Sequence, residues 1–354
     1  MSRVVLKQVS KRYGDTIAVR GLDLDIREGE FLTLLGPSGC GKTTTLRMIA
    51  GFVLPSSGTV HLGDEDVTRL PPNKRGIGMV FQDYALFPHM TIGENIGFGL
   101  TERRVDKEAI RQRVKELLDL VQLGNVENRY PPELSGGQQQ RIAVARAVAY
   151  SPRVLLMDEP LGALDLKLRE AMQTEIRQIQ QRLGTTTVYA THDQTEAMHM
   201  SDRIVVMKDG RIEQMGSAEE IYNRPRTRFV ADFIGQINLL DAAVVDRDGA
   251  FAVIEVNGTR VRMQAGAEIS GKVTVGIRPQ HLKLAAKGAA GAGCNVLSGR
   301  IKGRTFSGNL VHIEVELDGG QSVTIETRPE DVTGDAGTTV TVQWPPERGT
   351  VLTQ

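Results

Sequence analysis

Phe31-Leu32-Thr33-Leu34-Leu35-Gly36-Pro37-Ser38-Gly39-Cys40-Gly41-Lys42-Thr43-Thr44 decides how this chain is read. The apolar run 31–35 predicts a buried strand, a glycine-rich turn follows, and Thr44 to Ala50 predicts a helix. Residues 36–43 fit the phosphate-loop pattern G-x-x-x-x-G-K-[ST], and strand, loop and helix stand in the order its mechanism requires. Gly36, Gly39 and Gly41 let successive backbone N–H groups turn toward one anion, and the helix N-terminus adds partial positive charge. Pro37, Ser38, Cys40 and Thr44 belong to the same expected nucleotide-binding stretch, the Cys40 thiol itself having no assigned role. Lys42 is expected to contact the β- and γ-phosphates of a triphosphate, and the Thr43 hydroxyl to ligate Mg2+.

Composition requires that any such anion be held locally. The chain has 354 residues, with 43 Lys plus Arg against 43 Asp plus Glu and no net charge. There is no global field to hold a polyanion, so nucleic acid is not an expected partner. The length suggests about two domains. A content of 40% hydrophobic and 24% charged residues is that of an ordinary globular protein. No window approaches the roughly eighteen uninterrupted apolar residues of a spanning helix. Lys7, Lys11 and Arg12 stand where a signal peptide needs its apolar stretch, so a cytoplasmic location is expected. Cys40 and Cys294 are too few and too far apart for a disulfide scaffold or a zinc site, and read as reduced thiols.

The text changes character near residue 236. Before it, apolar runs at Phe31–Leu35, Val154–Met157, Thr187–Ala190 and Ile204–Met207 alternate with helical stretches, the pattern of an α/β domain with a largely parallel sheet. From Val105 to Leu123, apolar residues recur at three- and four-residue steps and predict an amphipathic helix. After 236, Val311, Ile313, Val315 and Leu317 alternate with His312, Glu314 and Glu316, and Val323/Ile325 and Val340/Val342/Trp344 repeat that period. These strands, separated by turns such as Asp318-Gly319-Gly320, predict a small β-barrel. Lys287 to Gly293 reads as a flexible loop within it. No internal repeat is visible in the sequence.

A triphosphatase also needs a metal-holding acid and a group that positions water. The strand-like run Val154-Leu155-Leu156-Met157 ends in Asp158-Glu159. Alternation along a strand sends the two carboxylates in different directions, which suits Asp158 for magnesium and Glu159 for the attacking water. A second anion device follows Leu134: Ser135-Gly136-Gly137-Gln138 introduces a predicted helix from Gln139 to Ala149. One triphosphate has no evident need for two cradles from the same chain.

Leu134-Ser135-Gly136-Gly137-Gln138, followed by Gln139-Gln140-Arg141, resembles the signature motif of ATP-binding cassette (ABC) ATPases. The other motifs stand in order. Tyr13 is similar to the aromatic residue that stacks on adenine, Gln82 in Val80-Phe81-Gln82-Asp83 to the Q-loop glutamine, Ala163-Leu164-Asp165 to the D-loop, and His192 to the switch histidine. The resemblance implies a P-loop α/β ATPase domain over residues 1–235 with a helical subdomain at about 84–150, binding ATP and Mg2+. It implies catalytic roles for Glu159, His192 and Gln82, with Thr43, Gln82 and Asp158 toward the metal and Asp165 toward nucleotide. It also implies a head-to-tail homodimer, in which Ser135, Gly136, Gly137 and Gln138 of one copy close over ATP held by Lys42 of the other.

The stretch from Asp83 to Ile96 is apolar, aromatic and interrupted by Pro88; physically it is either a docking surface or a buried loop. It is similar to the corresponding part of cassette ATPases serving bacterial binding-protein-dependent importers for maltose, polyamines, ferric iron or sulfate. Gly276-Ile277-Arg278-Pro279-Gln280-His281-Leu282 is similar to that branch's oligonucleotide-fold-like (TOBE-type) C-terminal domain, here residues 236–354, and residues 233–240 look most like polyamine members. The implied partners are membrane permease subunits and a periplasmic or lipoprotein solute-binding protein, with this chain peripheral on the inner face. A soluble cassette ATPase acting on DNA or ribosomes would carry a coiled-coil insert or tandem cassettes. A regulatory GTPase would carry N-K-x-D, whereas 73–76 reads Asn-Lys-Arg-Gly.

Overall fold

The computed structural model describes residues 2–162, 164–249, 251–264, 269–285, 291 and 293–352. Most of the expected loop at 287–293, and Ala163 of the D-loop motif, lie outside the described residues. The chain divides into two compact units, Met1–Ala218 and Glu219–Gln354.

In the first unit the elements are β1 (Val4–Tyr13), β2 (Thr16–Ile26), β3 (Phe31–Leu35), α1 (Lys42–Ala50), β4 (Ser57–Leu62), β5 (Glu65–Asp66) and β6 (Ile77–Val80). Then come α2 (Ile92–Glu102), α3 (Lys107–Leu120), α4 (Gly136–Val148), β7 (Val154–Asp158), α5 (Leu166–Leu183), β8 (Thr186–Thr191), α6 (Gln194–Met200), β9 (Arg203–Lys208) and β10 (Arg211–Gly216). Two sheets result, an antiparallel one in the order β2-β1-β4-β5 and a six-stranded one in the order β10-β9-β3-β8-β7-β6. β9, β3, β8, β7 and β6 run parallel, and β10 closes the edge antiparallel.

The apolar runs of the parallel strands are continuous because both faces are covered. Val154 and Leu156 point into a core shared with α1 and the antiparallel sheet. Leu155 and Met157 point into a second core with α2 to α5. The expected helical subdomain is α2, α3 and α4, and its core residues, Ile96, Val114, Leu117 and Ile142 among them, are continuous with that second core. The helix expected from Val105 to Leu123 is shorter, Lys107–Leu120, because Asp106 caps it and accepts from the Glu108 and Ala109 N–H groups. The signature helix α4 begins at Gly136, earlier than the expected Gln139. Ser135 caps it, accepting from the Gln138 N–H at 3.4 Å, while Gln138 Oε1 accepts from the Ser135 N–H at 3.0 Å, a reciprocal capping box.

The second unit contains α7 (Ala218–Asn223), whose first residue belongs to the first unit, and α8 (Arg228–Phe233), then ten strands, β11 (Asn238–Asp248) to β20 (Gly349–Leu352). It starts at 219, before the change of composition at 236, because Arg278 gathers the preceding helices. That guanidinium is buried, donates to the carbonyls of Tyr222 (3.0 Å), Gly235 (3.1 Å) and Gln236 (3.0 Å), and stacks over the Tyr222 ring. The expected barrel resolves as two five-stranded antiparallel sheets, β13-β12-β11-β14-β20 and β15-β19-β16-β17-β18, closed on one core that includes Trp344. Val311, Ile313, Val315 and Leu317 point inward on β17 (Leu310–Leu317), as their alternation predicts.

The two sheets also repeat one topology, which the sequence does not display. β11, β12 (Phe251–Val256) and β13 (Thr259–Gln264) form a meander, β14 (Lys272–Ile277) returns beside β11, and β15 (Lys283–Ala285) crosses to the other sheet. β16 (Asn295–Ser307), β17, β18 (Ser322–Thr327), β19 (Thr339–Trp344) and β20 do the same in return. Each half starts with an asparagine that grips the other half's edge strand. Asn238 accepts from the Thr324 N–H at 2.7 Å and donates to its carbonyl at 2.8 Å; Asn295 does so with Arg262, at 2.7 Å both ways. Unpaired strand edges are thereby satisfied. Asn295→Ala leaves both Arg262 groups without these partners and is expected to destabilise the second unit by about 2 kcal/mol. Urea unfolding followed by Trp344 fluorescence reads this, and an unchanged midpoint would contradict it.

Candidate active site

Parallel strands end together, and the residues expected at the site stand at or just beyond their C-terminal ends. Leu35 lies opposite Thr191, Asp158 opposite Ala190, and Val80 opposite Met157, so the loops after β3, β8, β7 and β6 emerge along one edge.

The loop after β3 wraps around the start of α1. A Cβ on Gly36 would lie 2.4 Å from the Met207 carbonyl oxygen, and one on Gly41, at φ 106°, would lie 2.6 Å from that of Ala18. Glycine is therefore required by close approach to β9 and β2. Gly39, at φ 80°, faces open space, and Ser38 beside it is exposed. Lys42 is buried, and its Nζ donates to the carbonyls of Gly36 at 2.7 Å and Pro37 at 3.1 Å. Its charge is held at the loop by two neutral acceptors, and the ammonium has a further donor for phosphate. Burial pushes the Cys40 thiol pKa up, which agrees with a bystander role.

Thr43 Oγ1 donates to Asp158 Oδ1 at 2.9 Å, joining the residues expected at the metal. Burial raises the Asp158 pKa, opposed by that hydrogen bond and by Arg47 and Lys42. Among the described residues no group of three His, Cys, Asp or Glu side chains could hold a metal. A hydroxyl and a carboxylate, with other positions left to phosphate and water, fit the hard oxygen preference of Mg2+.

β7 ends at Asp158, and Glu159 turns away through a left-handed backbone conformation, φ 46°, with its N–H donated to the Ala190 carbonyl at 2.9 Å. The divergence of the two carboxylates thus comes from the end of the strand and this turn, where simple alternation was expected. Glu159 Oε2 lies 3.1 Å from His192 Nδ1, which brings the expected water-positioning acid and switch histidine into contact. The residues flanking His192 are fixed by their own hydrogen bonds. Thr191 Oγ1 and the Tyr189 hydroxyl both donate to Glu196 Oε2, at 2.6 and 2.7 Å, and Asp193 caps α6. Burial raises the Glu196 pKa, against the pull of the two hydroxyls. Sequence reading passed over this network, although Asp193-Gln194-Thr195-Glu196 has the D-x-x-E form of a helix start.

Gln82 is exposed just beyond β6, and its Nε2 lies 3.9 Å from where a Gly162 Cβ would stand, beside the turn that leads to Asp165. Asp165 caps α5 by accepting from the Leu168 N–H. The loop beyond Gln82 is neither simply buried nor simply exposed: Tyr84 is buried, whereas Asp83, Ala85, Pro88 and His89 are exposed. Tyr84 and Ala85 take positive φ, 61° and 48°, and Arg146 of α4 holds them by donating to both carbonyls at 2.9 and 2.6 Å. Buried Asn95 donates to the carbonyls of Phe87, Met90 and Thr91. No local pattern announced Arg146, because its partners lie on another element, whereas Asn95 reaches back only to the loop and cap before its own helix.

Tyr13 is exposed at the end of β1, on the hairpin whose second strand brings Ala18 against Gly41. Lys11 Nζ sits 5.0 Å from the centroid of its ring. Ser135, Gly136, Gly137 and Gln138 are not joined to the phosphate loop. Gly136 and Gly137 pack toward Leu164 and Leu168, while Ser135 and Gly136 stay exposed. No described hydrogen bond links 135–138 with 36–44.

The family model for ABC transporters matches residues 19–162, and that for the TOBE domain matches residues 275–352. The spermidine/putrescine import ATP-binding protein PotA of Thermobifida fusca is 47% identical over 358 residues, covering 99% of this chain and 93% of that protein. The Fe(3+) ions import ATP-binding protein FbpC of Rhizobium etli is 48% identical, covering 90% and 88%. Among solved structures, the dimeric structure of MJ0796, a bacterial ABC transporter cassette, superposes with a TM-score of 0.55 at 35% identity, covering 61% of this chain and 98% of that one. CbiO1 from Clostridium perfringens, part of the ABC transporter complex cbiONQ, gives 0.58 at 29% identity, covering 62% and 89%. With its phosphate loop, carboxylate pair and signature turn on that fold, the chain belongs to the ATP-binding subunits of ABC transporters, with a C-terminal TOBE domain.

Proposed function

We propose that this chain is the ATP-hydrolysing subunit of a bacterial importer that takes up a polyamine such as spermidine or putrescine. The observation that carries the catalytic part is the convergence at one sheet edge of the Lys42 cradle, the Thr43–Asp158 pair and the Glu159–His192 pair. In this reading the loop 36–44 binds the β- and γ-phosphates, Tyr13 stacks on adenine, and Gln82 and Glu159 orient the attacking water. His192 hydrogen-bonds the γ-phosphate while Glu159 holds its imidazole. Thr43 and Asp158 would hold Mg2+, with Gln82 beside it, and the ion would supply charge neutralisation to the phosphates.

The 135–138 turn, exposed at Ser135 and Gly136, is directed to a second copy, so that two chains arranged head to tail complete two sites. Closure of that pair is passed through Gln82 and residues 83–96 to permease subunits on separate chains, and ATP binding becomes a change of access across the membrane. No described helix is long and apolar enough to cross a membrane, which agrees with a peripheral place on the inner face. Support for the solute comes from the names of the relatives, several of which are spermidine/putrescine import proteins. The ferric-iron relative supplies the second reading. Reconstituted with its permease, the chain is expected to hydrolyse ATP faster when the binding protein carries spermidine; stimulation by a ferric-loaded protein alone would overturn the polyamine reading.

Glu159→Gln is expected to bind ATP and accumulate as a closed dimer with hydrolysis lost; a wild-type rate would remove Glu159 from its role. Lys42→Ala is expected to lose nucleotide affinity, measured by titration with a fluorescent ATP analogue, and unchanged affinity would contradict the cradle.

Asp158 supplies a pH test. Because its folded-state pKa is raised by burial, its stabilising contribution is present at acidic pH and is lost as pH rises through that value. Asp158→Asn still accepts from Thr43 but is always neutral. Without Mg2+ or nucleotide it should melt above wild type at pH 7, the gap closing as pH falls toward the carboxylate range. A lower melting temperature at pH 7 would contradict this.

A further inference from the structure

Arg169, on the first turn of α5, reaches two separate loops of the site. Its Nη1 donates to Asp193 Oδ2 at 3.0 Å, and its Nη2 donates to the Leu164 carbonyl at 3.0 Å. Its Nε lies 3.9 Å from Oε1 of buried Glu196. Leu164 belongs to the turn after Glu159, where the Gly162 N–H donates to the Glu159 carbonyl at 3.3 Å and the Leu164 N–H to that of Leu161 at 3.2 Å. Asp193 immediately follows His192. Its other oxygen caps α6, and its N–H donates to Thr191 Oγ1 at 3.0 Å. One planar guanidinium therefore fastens the turn before Asp165 to the turn that carries His192. The rigid fork of arginine matches this task, whereas a lysine ammonium could hold one partner well but not both in plane.

We propose that Arg169 is a positioning residue that ties the 161–165 turn to the His192 turn, so that displacement of the first moves the imidazole relative to Glu159. The inference rests on the reading of Glu159 and His192 given above. Arg169, bonded to Asp193 and the Leu164 carbonyl, acts through Asp193 and its neighbour His192. The 161–165 turn ends in exposed Asp165 and leads into exposed Leu166 at the start of α5. A second copy arriving there would press on the turn, and Arg169 would carry that press to the histidine. The site would then be set for hydrolysis only when the pair has closed.

Steady-state ATP hydrolysis by the full chain, with KM and kcat separated, tests this in a double-mutant cycle. Arg169→Lys is expected to lower kcat by about tenfold or more, as a small misplacement of a reacting group does, with KM for ATP within about twofold of wild type. In a His192→Ala background, Arg169→Ala should change kcat by less than about twofold, because its route of action is already gone. An equal fall in kcat in both backgrounds would overturn the proposal, since it would mark a structural role independent of His192. Wild-type kcat in Arg169→Lys and Arg169→Ala would overturn it as well, with the Glu159 and His192 assignments untouched. A wild-type rate in His192→Ala alone would instead strike down the underlying reading and the proposal with it. Should Arg169→Ala fail to fold, Asp193→Asn replaces it. That change keeps the α6 cap acceptor and removes the charge facing Arg169, and the same kcat-specific, non-additive loss is expected.

Discussion

Everything in the proposed catalytic site hangs on the parallel pairing of β3 with β8 and of β8 with β7. Parallel strands share one C-terminal edge, so Leu35, Asp158 and Thr191 end within a few residues of one another in register. Residues far apart in sequence, Lys42, Glu159 and His192, then need only short loops to meet. The hydrogen bond from Thr43 to Asp158 closes the gap between the first two strands. Gly36 and Gly41 are the steric condition for this, because any side chain at either would collide with the carbonyls of Met207 or Ala18. Burial on both sheet faces fixes the register, since a slip by one residue would exchange the two cores.

Much of this was legible in the sequence because it is written locally. The phosphate loop, the run ending in Asp158 and the alternating strands of the second unit are patterns within a few residues, and all fall on the elements expected of them. What was not legible is carried by long side chains reaching across the fold. Arg146 holds the strained Tyr84–Ala85 pair, Arg278 draws the 219–235 helices onto the strand unit, and Arg169 spans two loops. Each is an arginine satisfied mainly by backbone carbonyls or distant acids, and nothing in its neighbours announces the partner. The repeated topology of the second unit was hidden for a related reason: the two halves share strand order and an initial asparagine, but their turns differ in length.

The site also shows what one chain lacks. Its own signature turn is spent on local packing, with Gly137 against Leu168, while Ser135 and Gly136 face outward and the open side of the 36–44 cradle has no described partner from residues 135–138. A helix N-terminus exposed in this way and an anion cradle open in this way are complementary surfaces, the pairing that the proposed head-to-tail dimer would use. Balanced net charge is compatible with the same arrangement. A small polyanion held by backbone N–H groups, helix ends and one lysine needs no positive field over the rest of the surface.

The most direct measurement of the composite site is nucleotide occlusion in mixed pairs. In a Glu159→Gln background, one preparation carries Lys42→Ala and the other Gly137→Asp, and ATP retained after gel filtration is measured for each and for their mixture. Head-to-tail assembly predicts that neither preparation retains ATP alone and that mixing restores one intact site per mixed pair, built from Lys42 of one copy and Gly137 of the other. No retention on mixing, or full retention by the Gly137→Asp preparation alone, would contradict a site shared between two chains.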